Sequence, residues 1–401
     1  MTIKNKILAV TGIRSEYDIL YPVLSALNAH PNYDLQVIVS GAHLSAEHGF
    51  TIERIKEDGF AIADCIDSLT QTERLTQRPK AVGALITGLT QTVEREKPDF
   101  LLVVGDREES IATAIVGNYM EVLVAHIGGG DPVFGNADDP VRMAVSKLAH
   151  IHFSTTKAYS ENLIALGEDK WRIEFCGTPG LDNVVNEKYL SLNEISQQFD
   201  HDLNDYLVVL KHPLSSEKLD TYSQMKVVLT AVERFCQQYD FKAVVIQPNS
   251  DPGSADILKA MKDTQSQYLL YTQSLPRELF VNIVRRAKVL VGNSSMGILE
   301  APMHKLPVVN VGRRQKGRLN AGNVEFVDYN EDDIIEYIAH AAFNADYRQQ
   351  VRLLTNPYGE GKSALKIVDF LNKIAKADYP QWHFKKQLVP GVNVDKKGGS
   401  S

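Results

Sequence analysis

The sequence predicts an α/β protein built from two successive doubly wound, Rossmann-like domains. Three observations predict it. Short apolar runs alternate with helix-length amphipathic stretches along almost the whole chain, and the apolar runs repeatedly end in small, polar or charged residues. In addition, 401 residues are too many for one ordinary core and suit two, at roughly 100–200 residues per domain. Such alternation implies βαβ units and a parallel sheet covered by helices on both faces.

The first apolar run, 6–11 (KILAVT), reads as a strand, and Ile19, Leu20, Val23, Leu24 and Leu27 recur at helical spacing over 15–29. Strands follow at 35–40 (LQVIVS), 100–104 (FLLVV), 122–127 (VLVAHI) and 151–154 (IHFS), with helices near 80–96, 107–119 and 138–149. Pro140 fits the last of these because proline is tolerated in a first turn. The Gly/Pro cluster Cys176-Gly177-Thr178-Pro179-Gly180 reads as a linker, so domains are expected over 1–178 and 179–376. The second series runs strand 206–210 (YLVVL), helix 220–237, strand 242–246 (KAVVI), helix 254–264, strand 268–271 and helix 276–286. Strand 288–292 (KVLVG), helix 295–303 and strand 307–311 (PVVNV) complete it. Helices at 331–343 and 362–375 close the ordered part, and the tail 377–401 is expected to be partly disordered.

A hydrophobic share of 44% and a charged share of 23% are those of a globular chain. The net charge of -7, with basic residues clustered only over 313–318 and in two lysine pairs, argues against a nucleic-acid partner, which needs clustered cations to displace counterions. A small phosphate-containing ligand remains compatible, because a helix N-terminus and one or two arginines suffice. The three cysteines, Cys65, Cys176 and Cys236, form no C-x-x-C pair and suggest neither a disulfide framework nor a zinc site; ordinary reduced core thiols are expected. No signal-type apolar segment and no run of roughly 18 apolar residues occurs, so no membrane partner and a cytoplasmic location are expected.

Ligands of open parallel sheets bind beyond the carboxyl ends of the strands. There the first half places Thr11-Gly12-Ile13-Arg14, Ser40-Gly41-Ala42-His43, Gly105-Asp106-Arg107, His126 and Gly128-Gly129-Gly130-Asp131. The second half places Lys211-His212-Pro213, Gln247-Pro248-Asn249-Ser250-Asp251 and Gly292-Asn293-Ser294-Ser295. Each has an ordinary reading beside a chemical one. Asp106 either caps the following helix or serves the chemistry, and the same choice holds for Asp138 and Asp139 ahead of Pro140. Asn293, Ser294 and Ser295 either cap the next helix or leave backbone N–H groups open to a diphosphate. Glu300 is a first-turn acid or an acceptor for ribose hydroxyls, and Arg14 is a surface cation or a phosphate partner. Arg313, Arg314 and Arg318 are a solvated basic loop or part of the anion site. His212, ahead of a proline, is biased away from helix and projects at a strand end.

These residues resemble a family. Thr11-Gly12-Ile13-Arg14-Ser15-Glu16-Tyr17, Gly105-Asp106-Arg107, His126-x-x-Gly129-Gly130-Asp131 and Asp138-Asp139-x-x-Arg142 look like the N-terminal motifs of hydrolysing UDP-N-acetylglucosamine 2-epimerases. His212-Pro213, Gly292-Asn293-Ser294-Ser295-x-Gly297-Ile298-x-Glu300-Ala301-Pro302 and Arg314-Gln315-Lys316-Gly317-Arg318 look like the C-terminal ones, and the likeness runs in order from about residue 5 to about 375. It implies a GT-B-like fold, two Rossmann-like domains facing across a cleft, with no metal or redox cofactor, and a homodimer or homotetramer. The substrate implied is a UDP-sugar, UDP-N-acetylglucosamine, with UDP and free N-acetylmannosamine as products, formed by elimination to 2-acetamidoglucal and hydration. Carried over by position, the catalytic residues are Asp106, Asp131, Asp138 and His212. UDP falls to Arg14, Ser294, Ser295, Gly297, Glu300, Arg313 and Arg318, and the strand-end residues His43 and Asn249 complete the expected set. Many members read His-x-His-Gly-Gly-Glu where this chain has His126-Ile127-Gly128-Gly129-Gly130-Asp131, so a histidine is absent and the acid is shorter. Alternatives are the same reaction on a UDP-2,4-diacetamido sugar, a non-hydrolysing epimerase, a glycosyltransferase needing an acceptor, and a binding protein without turnover.

Overall fold

The computed structural model describes residues 4–46, 49–69, 76–132, 138–199, 201–214, 219–248, 253–273, 275–376 and 386. They divide into two compact units, one running to Asn183 and resuming at Tyr358, the other spanning Val184–Pro357.

The first unit is laid down as β1 (Asn5–Thr11), α1 (Arg14–Ala29), β2 (Tyr33–Ser40), α2 (Ile52–Glu57), β3 (Ile62–Ile66) and α3 (Gln77–Glu96). It continues through β4 (Phe100–Val104), α4 (Glu108–Tyr119), β5 (Leu123–Ile127), α5 (Asp138–Leu148), β6 (Ile151–Ser154), α6 (Lys157–Ala165) and β7 (Ile173–Phe175). A helix α7 (Gly180–Asn186) leads out of it. The seven strands are parallel in the order β3-β2-β1-β4-β5-β6-β7. Alternate residues of the central strands feed two cores. Ile7, Ala9, Leu102 and Ala125 face one helical layer, and Leu8, Val10, Leu101 and Val124 face the other. That two-sided burial is why β1 and β4 read as continuous apolar runs. The edge strands β3 and β7 did not stand out in the sequence, because edge positions are only half covered and tolerate Asp64, Cys65 and Glu174.

The second unit contains α8 (Leu192–Phe199), β8 (Tyr206–Leu210), α9 (Thr221–Tyr239), β9 (Lys242–Ile246), α10 (Ser254–Lys262), β10 (Leu269–Thr272) and α11 (Arg277–Arg286). β11 (Val289–Gly292), α12 (Met296–Leu299), β12 (Val308–Val311), β13 (Val324–Val327), α13 (Glu331–Phe343) and α14 (Ala345–Leu353) follow. Its six parallel strands are ordered β10-β9-β8-β11-β12-β13. Counted within the unit this is the 3-2-1-4-5-6 order of the Rossmann fold, and the first six strands of the other unit follow it too. The expected class, two Rossmann-like doubly wound units, is the one observed.

Two expectations need correction. The chain leaves the first unit at Asn183 rather than at 178, and its last helix α15 (Ser363–Lys376) belongs to the first unit, not the second. Ile367, Leu371 and Ile374 join the core of Leu20, Leu24 and Leu27 on α1, and the buried carboxylate of Asp182 accepts from the N–H groups of Ser363 (2.9 Å) and Ala364 (2.7 Å), capping α15. Such a return is invisible to a left-to-right reading of periodicity. The helix expected over 295–303 is instead the four-residue α12 followed by a 3₁₀ turn, Ala301–His304. Pro302 cannot donate to the carbonyl four residues earlier, and Lys305 ends the segment in the left-handed region at φ 54°.

Cys176 and Cys236 are buried free thiols, whereas Cys65 lies exposed on β3. Within the tail, Lys386 is held. Its ammonium reaches the carbonyls of Ser146 (2.9 Å) and Lys147 (3.1 Å) and the Glu168 carboxylate (2.6 Å). The other residues from 377 on lie outside the described ones. Among the described residues no helix is long and apolar enough to cross a membrane.

Candidate functional site

Register carries the sequence-predicted residues to common edges. In the first sheet Ala9 pairs Leu102 and Val104 pairs Ile127, so β1, β4 and β5 end side by side and release Gly12, Gly105 and Gly128 at one level. The boundary between β1 and β4 is where the strand order reverses, the position at which such folds open a crevice. In the second sheet Leu210, Gly292 and Asn310 are in line, and the reversal falls between β8 and β11.

At the first edge, Asp106 and Asp131 come from different loops and meet on one guanidinium. Arg142, one turn into α5, gives Asp106 two N–H groups, the Nε bond being 3.0 Å, and its Nη1 lies 3.0 Å from Asp131. The side chains of all three are largely shielded, at 13% exposure for Arg142 and 16% for each acid. A planar fork suits this bridging, since one cation presents separate donors to two carboxylates. Asp138 sits four residues before Arg142 on the same helix, so the two share a face. Arg78 of α3 pairs with Asp138 (2.8 Å) and also with Glu108. Two arginines thus organise four acids at the ends of β4 and β5.

The turns that present these acids are fixed locally. His126 is fully buried, its Nε2 donating to the Gly105 carbonyl (2.7 Å), and burial pushes its pKa down to about 3, so the ring is neutral and pins the Gly105-Asp106 turn. Gly130 is left-handed at φ 73°, and a Cβ there would lie 2.6 Å from the Tyr159 carbonyl; only glycine delivers Asp131 from that turn. Behind Gly12, burial raises Glu16, assisted by the Glu109 carboxylate, and burial likewise raises Glu109, which accepts from Ser40 (3.1 Å).

Of the remaining first-unit residues, Arg14 stands exposed at the start of α1, with its Nε 3.7 Å from Asp18. His43 is fully buried. Its nitrogens meet the hydroxyls of Thr11 (3.1 Å) and Thr51 (2.7 Å), and burial lowers it to about 4, a neutral ring knitting β1 to the segment before α2.

At the second edge, Gly292 (φ 140°) brings β11 so close to β8 that a Cβ would meet the Leu210 carbonyl at 2.1 Å. Asn293, Ser294 and Ser295 follow, with Met296 donating its N–H to Ser294 Oγ (3.3 Å). Gly297 packs on β12, where a Cβ would be 2.9 Å from Val308 Cγ1, so smallness there serves strand contact. Glu300 closes α12, and burial pushes its carboxyl up to about 7 against the opposing effect of Arg277. The loop after β12 folds back: Arg314 Nη1 donates to the Asn293 carbonyl (3.1 Å), Arg318 bonds the buried Gln315 (3.0 Å), and Arg313 is exposed. His212 leaves β8 beside Asn293. Asn249 lies outside the described residues.

Arg78 carries no signal in the sequence, whereas Arg142 carries one in its spacing from Asp138 on an amphipathic helix. The sequence offers Asn293 as a cap or as part of a diphosphate turn, and nothing in it marks the contact with His212. Among the described residues, no group of three or more His, Cys, Asp or Glu side chains is placed to hold a metal ion.

The family profile of UDP-N-acetylglucosamine 2-epimerase matches residues 25–372. The chain is similar to the hydrolyzing UDP-N,N'-diacetylbacillosamine 2-epimerase of Legionella pneumophila, at 32% identity over 92% of this chain and 96% of the relative. It is also similar to a UDP-N-acetylglucosamine 2-epimerase of Neisseria meningitidis, at 30% identity over 85% of this chain and 89% of the relative. In fold it matches a crystal structure of UDP-GlcNAc 2-epimerase from Neisseria meningitidis bound to UDP-GlcNAc, with TM-score 0.74 and 20% identity, covering 92% of this chain and 100% of that one. The chain belongs to the UDP-N-acetylglucosamine 2-epimerase family.

Proposed function

We propose that the protein is a hydrolysing 2-epimerase that converts UDP-N-acetylglucosamine and water into UDP and N-acetylmannosamine. The observation that carries this reading is the sharing of Arg142 between Asp106 and Asp131, two carboxylates held by one cation at the ends of β4 and β5, beside the strand-order reversal. The C2 proton of a 2-acetamido sugar is too weakly acidic to leave before the anomeric bond weakens, so the two events are coupled. One carboxylate takes the C2 proton, the electron pair forms the C1–C2 double bond, and the C1–O bond breaks with its electrons on UDP. Ser294, Ser295, Gly297 and the arginines of the 313–318 loop hold the diphosphate, with Arg14 as a further cation and Glu300 on the ribose. Because α12 is so short, backbone N–H groups and arginines, rather than a helix dipole, carry the anion. Water then adds at C1, giving its proton to a carboxylate, and C2 is reprotonated from the opposite face. Asp106 and Asp131 perform the proton steps, Asp138 supports them through charge, and His212 assists at the leaving group.

A second reading, the same chemistry on a UDP-2,4-diacetamido sugar, is favoured by the named activity of the Legionella relative at 32% identity. Incubation with each UDP-sugar in heavy water, followed by NMR, separates the readings. Free UDP with a deuterium at C2 of the released sugar is expected, and an intact epimerised nucleotide sugar would overturn hydrolysis.

Glu300 makes the binding step pH-dependent. With its pKa near 7, its carboxyl is mostly neutral at pH 6 and ionised at pH 8. If the ionised form accepts the ribose hydroxyls, the advantage of wild type over Glu300→Gln in UDP affinity shrinks by about tenfold from pH 8 to pH 6. Calorimetric titration of both proteins tests this, the variant cancelling the titration of UDP itself. An affinity ratio that ignores pH would remove Glu300 from ribose recognition.

A further inference from the structure

Where β8 and β11 stop, the peptide ladder between them is continued by a side chain. Asn293 is fully buried, and its amide makes the two bonds that a neighbouring peptide would make. Oδ1 accepts from the His212 N–H (2.7 Å) and Nδ2 donates to the His212 carbonyl (2.9 Å). Only a planar amide offers an acceptor and a donor with that spacing; Asp lacks the donor and Gln is one methylene too long. The main chain of Asn293 is held from two sides, by β8 and by the basic loop. Its N–H donates to Leu210 (3.2 Å), and its carbonyl accepts from Arg314 Nη1 (3.1 Å) and Gln315 Nε2 (3.3 Å). Lys211, also buried, steadies the same point by donating to the His212 carbonyl (3.3 Å) and to Gln224 (2.7 Å). One residue therefore joins the serine turn, the basic loop and the histidine.

We infer that Asn293 is a positioning residue that couples the diphosphate-binding turn to His212, an inference that rests on the reading proposed above. Anion capture by Ser294, Ser295 and Arg314 thereby sets the backbone from which the His212 ring acts.

The test is a double-mutant cycle of Asn293→Ala and His212→Asn in the full chain, with kcat, KM and UDP affinity as readouts. Asn293→Ala is expected to lower kcat by about 100-fold, the usual cost of a misplacement near 1 Å. KM and UDP affinity should stay within about threefold, and the loss should nearly vanish in the His212→Asn background. Fully additive losses, or a fall in UDP affinity matching that in kcat, would overturn the inference. Should the alanine variant fail to fold, Asn293→Ser, which keeps a small polar group, carries the same cycle. A separate readout is the His212 ring resonance, assigned by its loss in His212→Asn. It should move on UDP addition in wild type and move clearly less in the Asn293 variant while UDP still binds, only the direct effect of the diphosphate being left; equal movement in both would overturn the coupling. Absence of any UDP-sugar turnover in wild type would strike the proposed function instead and leave this resonance test decisive for Asn293.

Discussion

Replacing Asp106 by Asn is expected to abolish sugar turnover and to leave UDP binding nearly intact. The exchange is close to isosteric and keeps a group that can meet Arg142, but it removes the carboxylate that would take or return a proton. General acid–base groups are worth roughly 10² to 10⁴ in rate, and a loss of at least about 10³ is expected here because the same carboxylate also orients its partner. UDP affinity should change by less than about threefold, since Asp106 is not among the residues proposed to hold the diphosphate. Single-turnover release of UDP, with calorimetry for affinity, gives both numbers. Normal turnover in the variant would remove Asp106 from the chemistry.

Arg142→Lys should be almost as damaging as Arg142→Ala. A lysine ammonium is a point charge on a flexible stem and cannot bridge two carboxylates that arrive from separate loops. Leaving two shielded acids without their common cation costs about 3 kcal/mol, at the low end for buried pairs because these acids retain 16% exposure. The melting temperature should fall by about 5–10 °C and kcat by about 10²-fold, as both carboxylates lose their orientation. Thermal melts and steady-state kinetics of the two variants check this. A lysine variant with wild-type kcat would show that charge alone is required and that the bridging geometry has no part in the reaction.

Much of this was legible in the sequence, for a physical reason. Interior strands of a parallel sheet are buried on both faces, so β1, β4 and β8 announce themselves as unbroken apolar runs, and whatever follows them lies at the ligand edge. Asp106, Asp131, His212 and Ser294 fall at strand ends by the same logic, after β4, β5, β8 and β11. The edge strands β3 and β7 were not, because half-exposed segments carry a mixed pattern. The helix expected over 295–303 does not form as one element, since Pro302 sits within an otherwise helical spacing and breaks it into a short turn and a 3₁₀ segment.

The order of apolar runs, their glycine-rich ends and the acids placed after them determined the class of fold and the loops that carry the candidate site residues, because those features depend on neighbours along the chain. Tertiary structure alone decided that α15 returns to the first unit, that Arg142 unites Asp106 with Asp131, that His43 and His126 are neutral struts, and that Asn293 grips His212. Each of these depends on which groups lose water together, and desolvation is set by packing between segments far apart in sequence.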